Sequence, residues 1–480
     1  MSLTKVSFSM IQGAPTNVMD YGAKGDGIAD DYAAIQAAWD ATGNIYFPPG
    51  TYLVKTSLNF TNAVGGKIKG SGRYGNGSSY IKGTADIGNY PIMDFSGSNG
   101  IELENFYLGT NNTDECFIGI LFARVGGASS GTHSIRNINV YGKFAHSCIY
   151  KSSSEENTFF DVWSETLSAG ARSVSDVDVP ESNVLSLYQD ITSPYGGNTG
   201  TRYISGRYIN QTSNAANRAF YIKNSRNLSL NGVYLNAGDA ATYAIQSVNN
   251  ITTSFKDCTC ENTCLYVIGV TGTSTQDLTI DTCTFNSATG ATLFGDVGTE
   301  LIKVAIRNTY SSVYVLYCDI IKNSEIDCYG HFAQVNTSSW GNNYLNVADS
   351  NAIALASSFG DSINIGTVGI TANVGKVFNL YETQISMPTA TYNNIDRKKA
   401  SFLQAYGTTG TITITGFTAG YEGQELIFLH PPVDIVYKNQ NVGSSIGNRI
   451  ITKTNADLTV PANTSNAERF IYSQGVWFQI

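Results

Sequence analysis

Two acidic residues one repeat apart, Glu165 and Asp190, could carry out glycoside hydrolysis. Each is the last residue of a strand-like tetrapeptide, Val162–Glu165 and Leu187–Asp190. On neighbouring parallel strands their backbones would lie about 4.8 Å apart, and two carboxylates that close raise one of their pKa values. The protonated acid would donate to the glycosidic oxygen while the carboxylate attacks the anomeric carbon, a retaining mechanism that needs a separation of about 5–5.5 Å.

Other carboxylates compete for the same roles. Glu156 and Asp161 precede the first tetrapeptide, and Glu261 ends a later one. An inverting mechanism needs carboxyl groups about 6.5–9.5 Å apart, which neighbouring or once-removed strands also supply. The structural alternative is a carboxylate bridged by Lys or Arg, or exposed at a turn. The catalytic candidates are Glu165, Asp190, Glu156 and Glu261.

Aromatic residues occupy the second position of most of these tetrapeptides. Flat rings at a regular pitch suit the apolar faces of sugar rings, with polar groups nearby to bind the hydroxyls. The alternative is that the rings stack only on one another. The residues predicted to bind substrate are Trp163, Tyr188, Tyr208, Tyr234, Asn210 and Asn236.

β-Elimination is the second enzymatic hypothesis. It needs a base near the C5 proton of a uronate and cations that neutralise the carboxylate. His133 and His146, with Arg136 and Lys143 between them, could supply those groups. The alternative for each histidine is a structural residue whose hydrogen bonds are satisfied.

The elements that must position these residues follow from an internal repeat. Aligned on their second residues, the tetrapeptides recur at spacings of 25, 20, 26, 25 and 25 residues. They are Val162–Glu165, Leu187–Asp190, Arg207–Asn210, Val233–Asn236, Cys258–Glu261 and Cys283–Asn286. Such a period predicts a solenoid of stacked coils. Because alternate side chains of a strand point to opposite sides, second and fourth positions should form two outward columns.

The most specific motif lies between Asn17 and Val54. The run DYGAKGDG begins at Asp20, a helix is predicted from about 31 to 41, and the turn FPPGTY begins at Phe47. This order resembles the N-terminal cap of the pectate-lyase-like family of right-handed parallel β-helices, especially bacteriophage tailspikes. The resemblance implies an all-β fold and assigns the aspartates of this segment to the cap rather than to catalysis.

Three regions are predicted. Residues 1–54 form an N-terminal arm and cap, and residues 55–385 a right-handed parallel β-helix with the active groove. Residues 386–480, with short strand-like runs between Gly, Asn and Pro turns, form an antiparallel β-sandwich-like domain. The family resemblance implies that this last domain serves trimerisation or glycan contact.

The resemblance also implies partners and location. It predicts a homotrimer on the virion, bound to phage tail or baseplate proteins and acting outside the cell on a bacterial capsule or O-antigen. The expected activity is endo-acting glycoside hydrolysis, with a polysaccharide lyase or a non-catalytic glycan-binding adhesin as alternatives. No secretory signal and no sizeable virion-attachment domain are expected before residue 17.

Composition excludes several classes of protein. Lys and Arg number 29 against 38 Asp and Glu, a net charge of −9, so nucleic acid is not an expected partner. No apolar stretch approaches the roughly 18 residues of a membrane-spanning helix. The eight cysteines are expected to be buried free thiols, and neither a metal nor a cofactor is predicted.

Overall fold

A computed structural model describes residues 14–480 of the chain with several gaps. The gaps are 112, 126–129, 186–198, 262–263, 286–290, 297, 312–313, 330–334, 342–343, 349–353, 356–381, 397–401, 407–409, 419, 421, 430–431 and 463–466. The chain divides into two compact units, Met1–Ile370 and Thr371–Ile480. The predicted boundary at 385 stays a prediction, because residues 356–381 lie outside the described ranges.

The first unit begins with the expected cap. The predicted helix is present as Tyr32–Thr42 and buries Ile35, Ala38 and Trp39 on one face. It ends at Gly43, whose left-handed backbone lets its amide donate to the Trp39 carbonyl oxygen. Two short 3-10 helices, Val18–Tyr21 and Ala85–Ile87, and the short helix Ser182–Leu185 complete the helices described in this unit.

Parallel strands then stack into three ladders, each forming one face of the coil. The first face contains Asp26–Asp30, Gly50–Val54, Ser79–Gly83, Tyr107–Gly109, Thr259–Cys260 and Thr284–Phe285. The second face contains Leu58–Asn59, Pro91–Asp94, Glu115–Ala123, Arg172–Val177, Arg218–Lys223, Tyr243–Val248, Tyr266–Thr271 and Ala291–Gly295. The third face contains Thr16–Asn17, Asn44–Phe47, Val64–Gly70, Asn99–Glu104, Ser134–Arg136, Ile251–Lys256, Ser274–Asp281 and Glu300–Ile302.

Longer strands continue from one face to the next, and shorter ones lie at the turns or extend the stack. They are Ser130–Gly131, Asn139–Ser152, Ser154–Glu155, Thr158–Thr166, Arg202–Asn210, Arg226–Asn236, Ala305–Ser311, Tyr314–Lys322, Glu325–Tyr329, Val335–Gly341, Tyr344–Ala348 and Ala354–Leu355. Tyr234 pairs with Thr259, and Thr259 with Thr284, which is the predicted period of 25 residues. The predicted parallel β-helix is therefore confirmed.

Asparagine and aspartate shape the turns between faces. Asn105, Asn137 and Asp257 take left-handed backbone angles, with φ of 59°, 50° and 51°, where the chain passes from the third face to the first. These residue types tolerate that conformation better than most. Between the second and third faces, the Asn250 side chain accepts from the Ser225 amide at 2.7 Å and donates to the Ile222 carbonyl at 3.1 Å. Such bonds hold one coil on the next.

The interior of the coil is apolar and stacked like the strands. Phe60, Phe95 and Phe122 lie on successive coils with ring centroids 5.0 and 5.4 Å apart. Six cysteines with described side chains are buried and free, as predicted: Cys116, Cys148, Cys258, Cys260, Cys264 and Cys283.

One buried ion pair interrupts the apolar interior. Lys151 Nζ lies 3.1 Å from Asp176 Oδ1, and both side chains are fully buried. Tyr203 donates from its hydroxyl to Asp176 Oδ2 at 2.9 Å. Burial lowers the pKa of Lys151, and the Asp176 carboxylate opposes that shift. Because each charge has its partner, neither is left isolated in a low-dielectric core.

The second unit contains two sheets. One orders its strands as Glu382–Ser386, Phe402–Tyr406, Glu425–Leu429, Ala467–Ser473, Val476–Gln479 and Ile450–Ile451. The other orders them as Thr391–Tyr392, Ile412–Ile414, Ile435–Tyr437 and Leu458–Val460. A 3-10 helix spans Ile446–Asn448.

The strand directions in this unit differ from the antiparallel prediction. Glu382–Ser386 pairs in parallel with Phe402–Tyr406, whereas Glu425–Leu429 pairs antiparallel with Ala467–Ser473. Both sheets contain parallel and antiparallel pairs. Successive early strands alternate between the two sheets, so neighbours within one sheet run in the same direction, whereas later strands add antiparallel pairs. Their facing sides enclose a shared core that includes Phe417, Phe470 and Trp477.

Candidate active cleft

The register of the first face places Trp163 and Glu165 in two outward columns, as predicted. Trp163 pairs with Asn139 on one side and with Arg207 on the other. Glu165 pairs with Tyr141 and with Ile209. Both side chains therefore project from the same strand to the outside of the coil.

The predicted pair of Glu165 and Asp190 on adjacent rungs is wrong. The strand beside Thr158–Thr166 is Arg202–Asn210, so Ile209, not Asp190, lies next to Glu165. Tyr188 and Asp190 themselves lie outside the described residues. A spacing of 25 residues from Trp163 therefore does not mark the next rung at this point of the stack.

The predicted binding roles of Tyr208 and Asn210 are also wrong. Tyr208 is 0% exposed, and its ring packs 4.6 Å from that of Phe220 in the core. Asn210 is equally buried and donates to the Ala171 carbonyl at 2.8 Å. A shift of one residue in the register exchanges the two sides of a strand, so Arg207 takes the outward position assigned to Tyr208.

The other predicted residues divide between the neighbourhood of Glu165 and more distant turns. Tyr234 pairs with Arg207, and Asn236 pairs with Ile209, so both follow the outward columns. Glu156 is exposed, at a turn with φ of 50°. Glu261 is exposed outside the strands.

A cleft of about 650 Å³ opens over Glu165. One wall is the first face, with the side chains of Tyr80, Tyr107, Tyr141 and Trp163. The opposite wall is the segment 73–76, which follows strand Val64–Gly70. Neither Glu156 nor Glu261 lines the cleft. Of the three catalytic candidates that the structure describes, Glu165 is the one in the cleft.

Glu165 is held in a partly desolvated position. Its side chain is 3% exposed, Trp163 Nε1 donates to Oε2 at 3.0 Å, and Gln211 Nε2 donates to Oε1. Burial raises the pKa of Glu165, whereas the Trp163 hydrogen bond and the Arg207 charge act in the opposite direction. Since burial prevails, the carboxyl group holds its proton to higher pH than an exposed glutamate.

The outer wall is fixed to the coil by an ion pair. Arg73 Nη2 lies 2.8 Å from Asp161 Oδ2, and Arg73 Nη1 donates to the Asp161 carbonyl oxygen. Tyr74 packs edge-on against Trp163, with centroids 5.7 Å apart. Sequence patterning missed this wall, and the available signal was the Gly-rich run GSGRYGNG from Gly70, in which an arginine and a tyrosine interrupt small residues.

Arg207, like Tyr208 and Asn210, lies on the opposite side of its strand from the one that the sequence predicted. Its side chain is exposed, and its guanidinium carbon lies 4.7 Å from the Trp163 ring centroid and 4.6 Å from that of Tyr234. This cation is therefore sandwiched between two rings. Trp163 joins the two charged groups, because it stacks on Arg207 and donates to Glu165.

The tyrosines of the cleft stack on one another rather than presenting open faces. Tyr80 and Tyr107 are parallel within 11°, with centroids 4.2 Å apart. Burial raises the pKa of both phenols, so they remain protonated at neutral pH. The two rings therefore cover one another's faces, and the Tyr80 hydroxyl donates to the Thr110 carbonyl at 2.9 Å.

The two histidines of the elimination hypothesis lie away from the cleft. His133 is buried, its Nδ1 accepts from the Ile101 amide at 3.2 Å, and burial lowers its pKa to about 3. His146 Nε2 lies 3.0 Å from Glu181 Oε2 near the second face. Neither can serve as a base beside Glu165.

In the described part of the chain, no group of three His, Cys, Asp or Glu side chains is arranged to hold a metal ion. No helix there combines the length and apolar character needed to cross a bilayer.

Comparison with known proteins gives a family match over most of the chain. The family described as rhamnogalacturonase A/epimerase, pectate lyase-like, matches residues 15–360. A curated relative, plasmin and fibronectin-binding protein A of Streptococcus pneumoniae, is 62% identical over 45 residues. That alignment covers 8% of this chain and 6% of the relative.

Two of the solved structures similar to this chain come from phages. ORF18 of Geobacillus virus E2 is 16% identical, with a TM-score of 0.49 over 68% of this chain and 61% of that one. Tailspike protein 2 from Escherichia coli O157:H7 bacteriophage CAB120 is 12% identical, with a TM-score of 0.48 over 66% of this chain and 42% of that one.

Proposed function

Because the chain belongs to the rhamnogalacturonase A/epimerase, pectate lyase-like family, we propose that it acts on polysaccharides and cleaves glycosidic bonds in the cleft over Glu165. The observation that carries this proposal is a buried carboxyl group, with its pKa raised, at the base of an open cleft. The general acid of glycoside hydrolysis is a carboxylic acid whose pKa is raised above its ordinary value.

In this mechanism Glu165 donates its proton to the glycosidic oxygen as the bond to the anomeric carbon breaks. Trp163 and Gln211 orient the carboxyl group through their hydrogen bonds. After departure of the alcohol, Glu165 is left as a carboxylate, and water supplies the hydroxyl of the new reducing end. The Arg207 guanidinium and the two hydrogen bonds stabilise the negative charge that develops on Glu165.

Asp161 is the proposed second carboxylate. Its carboxylate forms an ion pair with Arg73, which lines the outer wall, so Asp161 lies beside the cleft. Asp161 precedes Glu165 by four residues and has a left-handed backbone, with φ of 50°. We propose an inverting reaction, in which Asp161 activates water; it requires the two carboxyl groups to lie about 6.5–9.5 Å apart.

Elimination is a second candidate because of Arg207. An exposed guanidinium fixed between Trp163 and Tyr234 could neutralise the carboxylate of a uronate. The phenol of Tyr141, which pairs with Glu165, would then be the base that removes the acidic C5 proton. Burial raises the pKa of Tyr141, which makes the phenolate base costly to form and favours hydrolysis.

The biological setting that we propose is the tail of a bacteriophage, with a homotrimeric spike bound to tail or baseplate proteins. The cap motif from Asp20 to Tyr52 supports this setting, and bacterial capsule or O-antigen would be the substrate. A non-catalytic adhesin is the alternative. Incubation with purified capsules and O-antigens tests the proposal: new reducing ends without unsaturated uronate indicate hydrolysis, unsaturated products indicate elimination, and binding without either contradicts an enzymatic role.

A further inference from the structure

The second face carries an array of arginine and tyrosine side chains separate from the cleft. Arg172 and Arg218 pair directly on adjacent strands. The Arg172 guanidinium lies 3.9 Å from the Tyr221 ring centroid, and that of Arg218 lies 4.9 Å from the Tyr243 centroid. We name these four residues the arginine–tyrosine ladder. Like charges directly opposite each other on neighbouring strands destabilise a sheet unless each is compensated.

One of the two cations is compensated within the protein. Arg172 donates from Nη1 and Nη2 to the two carboxylate oxygens of Glu181, at 2.5 and 3.0 Å. His146 approaches the same carboxylate at 3.0 Å. These contacts lower the pKa of Glu181 to about 2, despite its burial. The Glu181 carboxylate therefore neutralises Arg172, and Arg172 needs no further anion.

The other cation has only neutral partners in the described part of the chain. Arg218 Nε donates to Gln246 Oε1 at 3.0 Å, and Nη1 donates to the carbonyl oxygens of Ala215 at 2.8 Å and Asn217 at 2.6 Å. No described carboxylate forms an ion pair with it. Burial lowers the pKa of Arg218 to about 10, which still leaves it charged at neutral pH. Arg218 is thus an oriented, half-buried cation that no carboxylate among the described residues neutralises.

The tyrosines add hydrogen-bonding groups beside this cation. Tyr221 and Tyr243 are half-buried, and within the described chain their hydroxyls form no hydrogen bond. Burial raises the pKa of both phenols, so each keeps a proton to donate. Tyr243 lies flat over Gly269, where a Cβ atom would come within 2.0 Å of Cδ1. The ring position therefore depends on glycine.

We propose that the arginine–tyrosine ladder is a second polysaccharide-binding site, in which Arg218 pairs with the carboxylate of a uronate and the Tyr221 and Tyr243 hydroxyls bind flanking sugar hydroxyls. The described contacts of Arg218 use its Nε and Nη1 hydrogens, so Nη2 is the nitrogen that would donate charge-assisted hydrogen bonds to a carboxylate. A neutral glycan would leave the Arg218 charge unpaired and desolvated, which is why the ligand is acidic. The site lies on the second face, whereas the cleft lies on the first, so it does not depend on the catalytic role of Glu165.

The test uses the full chain carrying Glu165→Gln, which prevents cleavage of the probe. The probe is a galacturonate hexamer, and its fully methyl-esterified form is the neutral control. Binding is measured by calorimetry, and hydrogen exchange of strands Arg218–Lys223 and Tyr243–Val248 locates it. Arg218→Gln should weaken binding about tenfold or more at low salt, the loss of one charge-assisted pair. Arg226→Gln, which removes an exposed arginine outside the ladder, should leave binding unchanged.

The acidic hexamer should slow hydrogen exchange in both strands, and the methyl ester should leave exchange unchanged. The slowing should be lost in Arg218→Gln and in Gly269→Ala. Equal protection by the acid and the ester would overturn the proposal. So would protection that survives Arg218→Gln, or no protection at all by the acidic hexamer. Absence of cleavage by the unmodified chain would contradict the proposed function and leave this result intact.

Discussion

The indole nitrogen of Trp163 donates a hydrogen bond of 3.0 Å to Glu165 Oε2, while the same ring stacks on the Arg207 guanidinium. One side chain thus links the proposed acid to the nearest cation. Both contacts favour the ionised form of Glu165 and oppose the effect of burial. The pH at which the acid loses its proton is therefore set by Trp163 as well as by the cleft.

Replacing Trp163 by Phe should move the pH dependence of cleavage to higher pH. The change removes the hydrogen bond that stabilises the Glu165 carboxylate, so the pKa of Glu165 rises. A general acid loses activity as pH increases through its pKa. The fall of kcat on the alkaline side of the pH profile, the alkaline limb, should therefore occur at higher pH. Tyr234→Phe keeps a ring beside Arg207 and should leave that limb in place. An alkaline limb at the same pH in Trp163→Phe would contradict the role of the indole in setting the pKa of Glu165.

His133 should make the fold sensitive to mild acid. Its pKa is lowered to about 3 in the folded chain, from an ordinary value near 6.5. The unfolded chain therefore binds the proton first, and stability is lost as pH falls below 6.5. Between pH 6.5 and 5 this amounts to about 2 kcal/mol.

The measurement is the unfolding free energy, or the melting temperature, at pH 7 and pH 5. His133→Gln should flatten the dependence in this interval, even if it lowers stability overall. Glu181, with a pKa near 2, loses its contribution only below about pH 4.5 and so does not interfere. An equally steep dependence in the variant would show that another group is responsible.

Tyr208 provides a test of the register. Its hydroxyl is buried without a hydrogen bond in the described chain, so Tyr208→Phe should leave the unfolding free energy unchanged or raise it by about 1 kcal/mol. Tyr208→Ala should instead cost about 3–5 kcal/mol, because it opens a cavity between coils. Cleavage by Tyr208→Phe should equal that of the unmodified chain. A loss of affinity for polysaccharide in Tyr208→Phe would show that Tyr208 contacts the substrate and would contradict this register.

The coil architecture could be predicted from the sequence because its determinants are local. The cap motif and the 25-residue period both survive as observed elements, with Tyr234 above Thr259 and Thr259 above Thr284. Glu165 could be identified as a cleft residue because alternation along one strand fixes which side chains face outward. These inferences needed no knowledge of distant contacts.

Residues whose positions depend on neighbouring coils could not be predicted in the same way. The strand next to Trp163 in the sheet begins at Arg202. A one-residue offset in its register places Arg207, instead of Tyr208, beside Trp163 on the outside of the coil. Gly206 marks the offset, since its φ is 132° and a Cβ atom would lie 2.3 Å from the Val162 carbonyl oxygen. The outer wall was missed because Arg73 and Asp161 are 88 residues apart in sequence.

Cleavage of a capsular polysaccharide or O-antigen by Glu165→Gln, against Glu156→Gln as the matched control, tests the central claim most directly. Both changes replace a carboxylate by an amide, but Glu156 is exposed at a turn outside the cleft. Glu165→Gln should lower kcat by about 10²–10⁴-fold, the usual contribution of a general acid, while Glu156→Gln keeps the full rate. Undiminished release of reducing ends by Glu165→Gln would contradict the account.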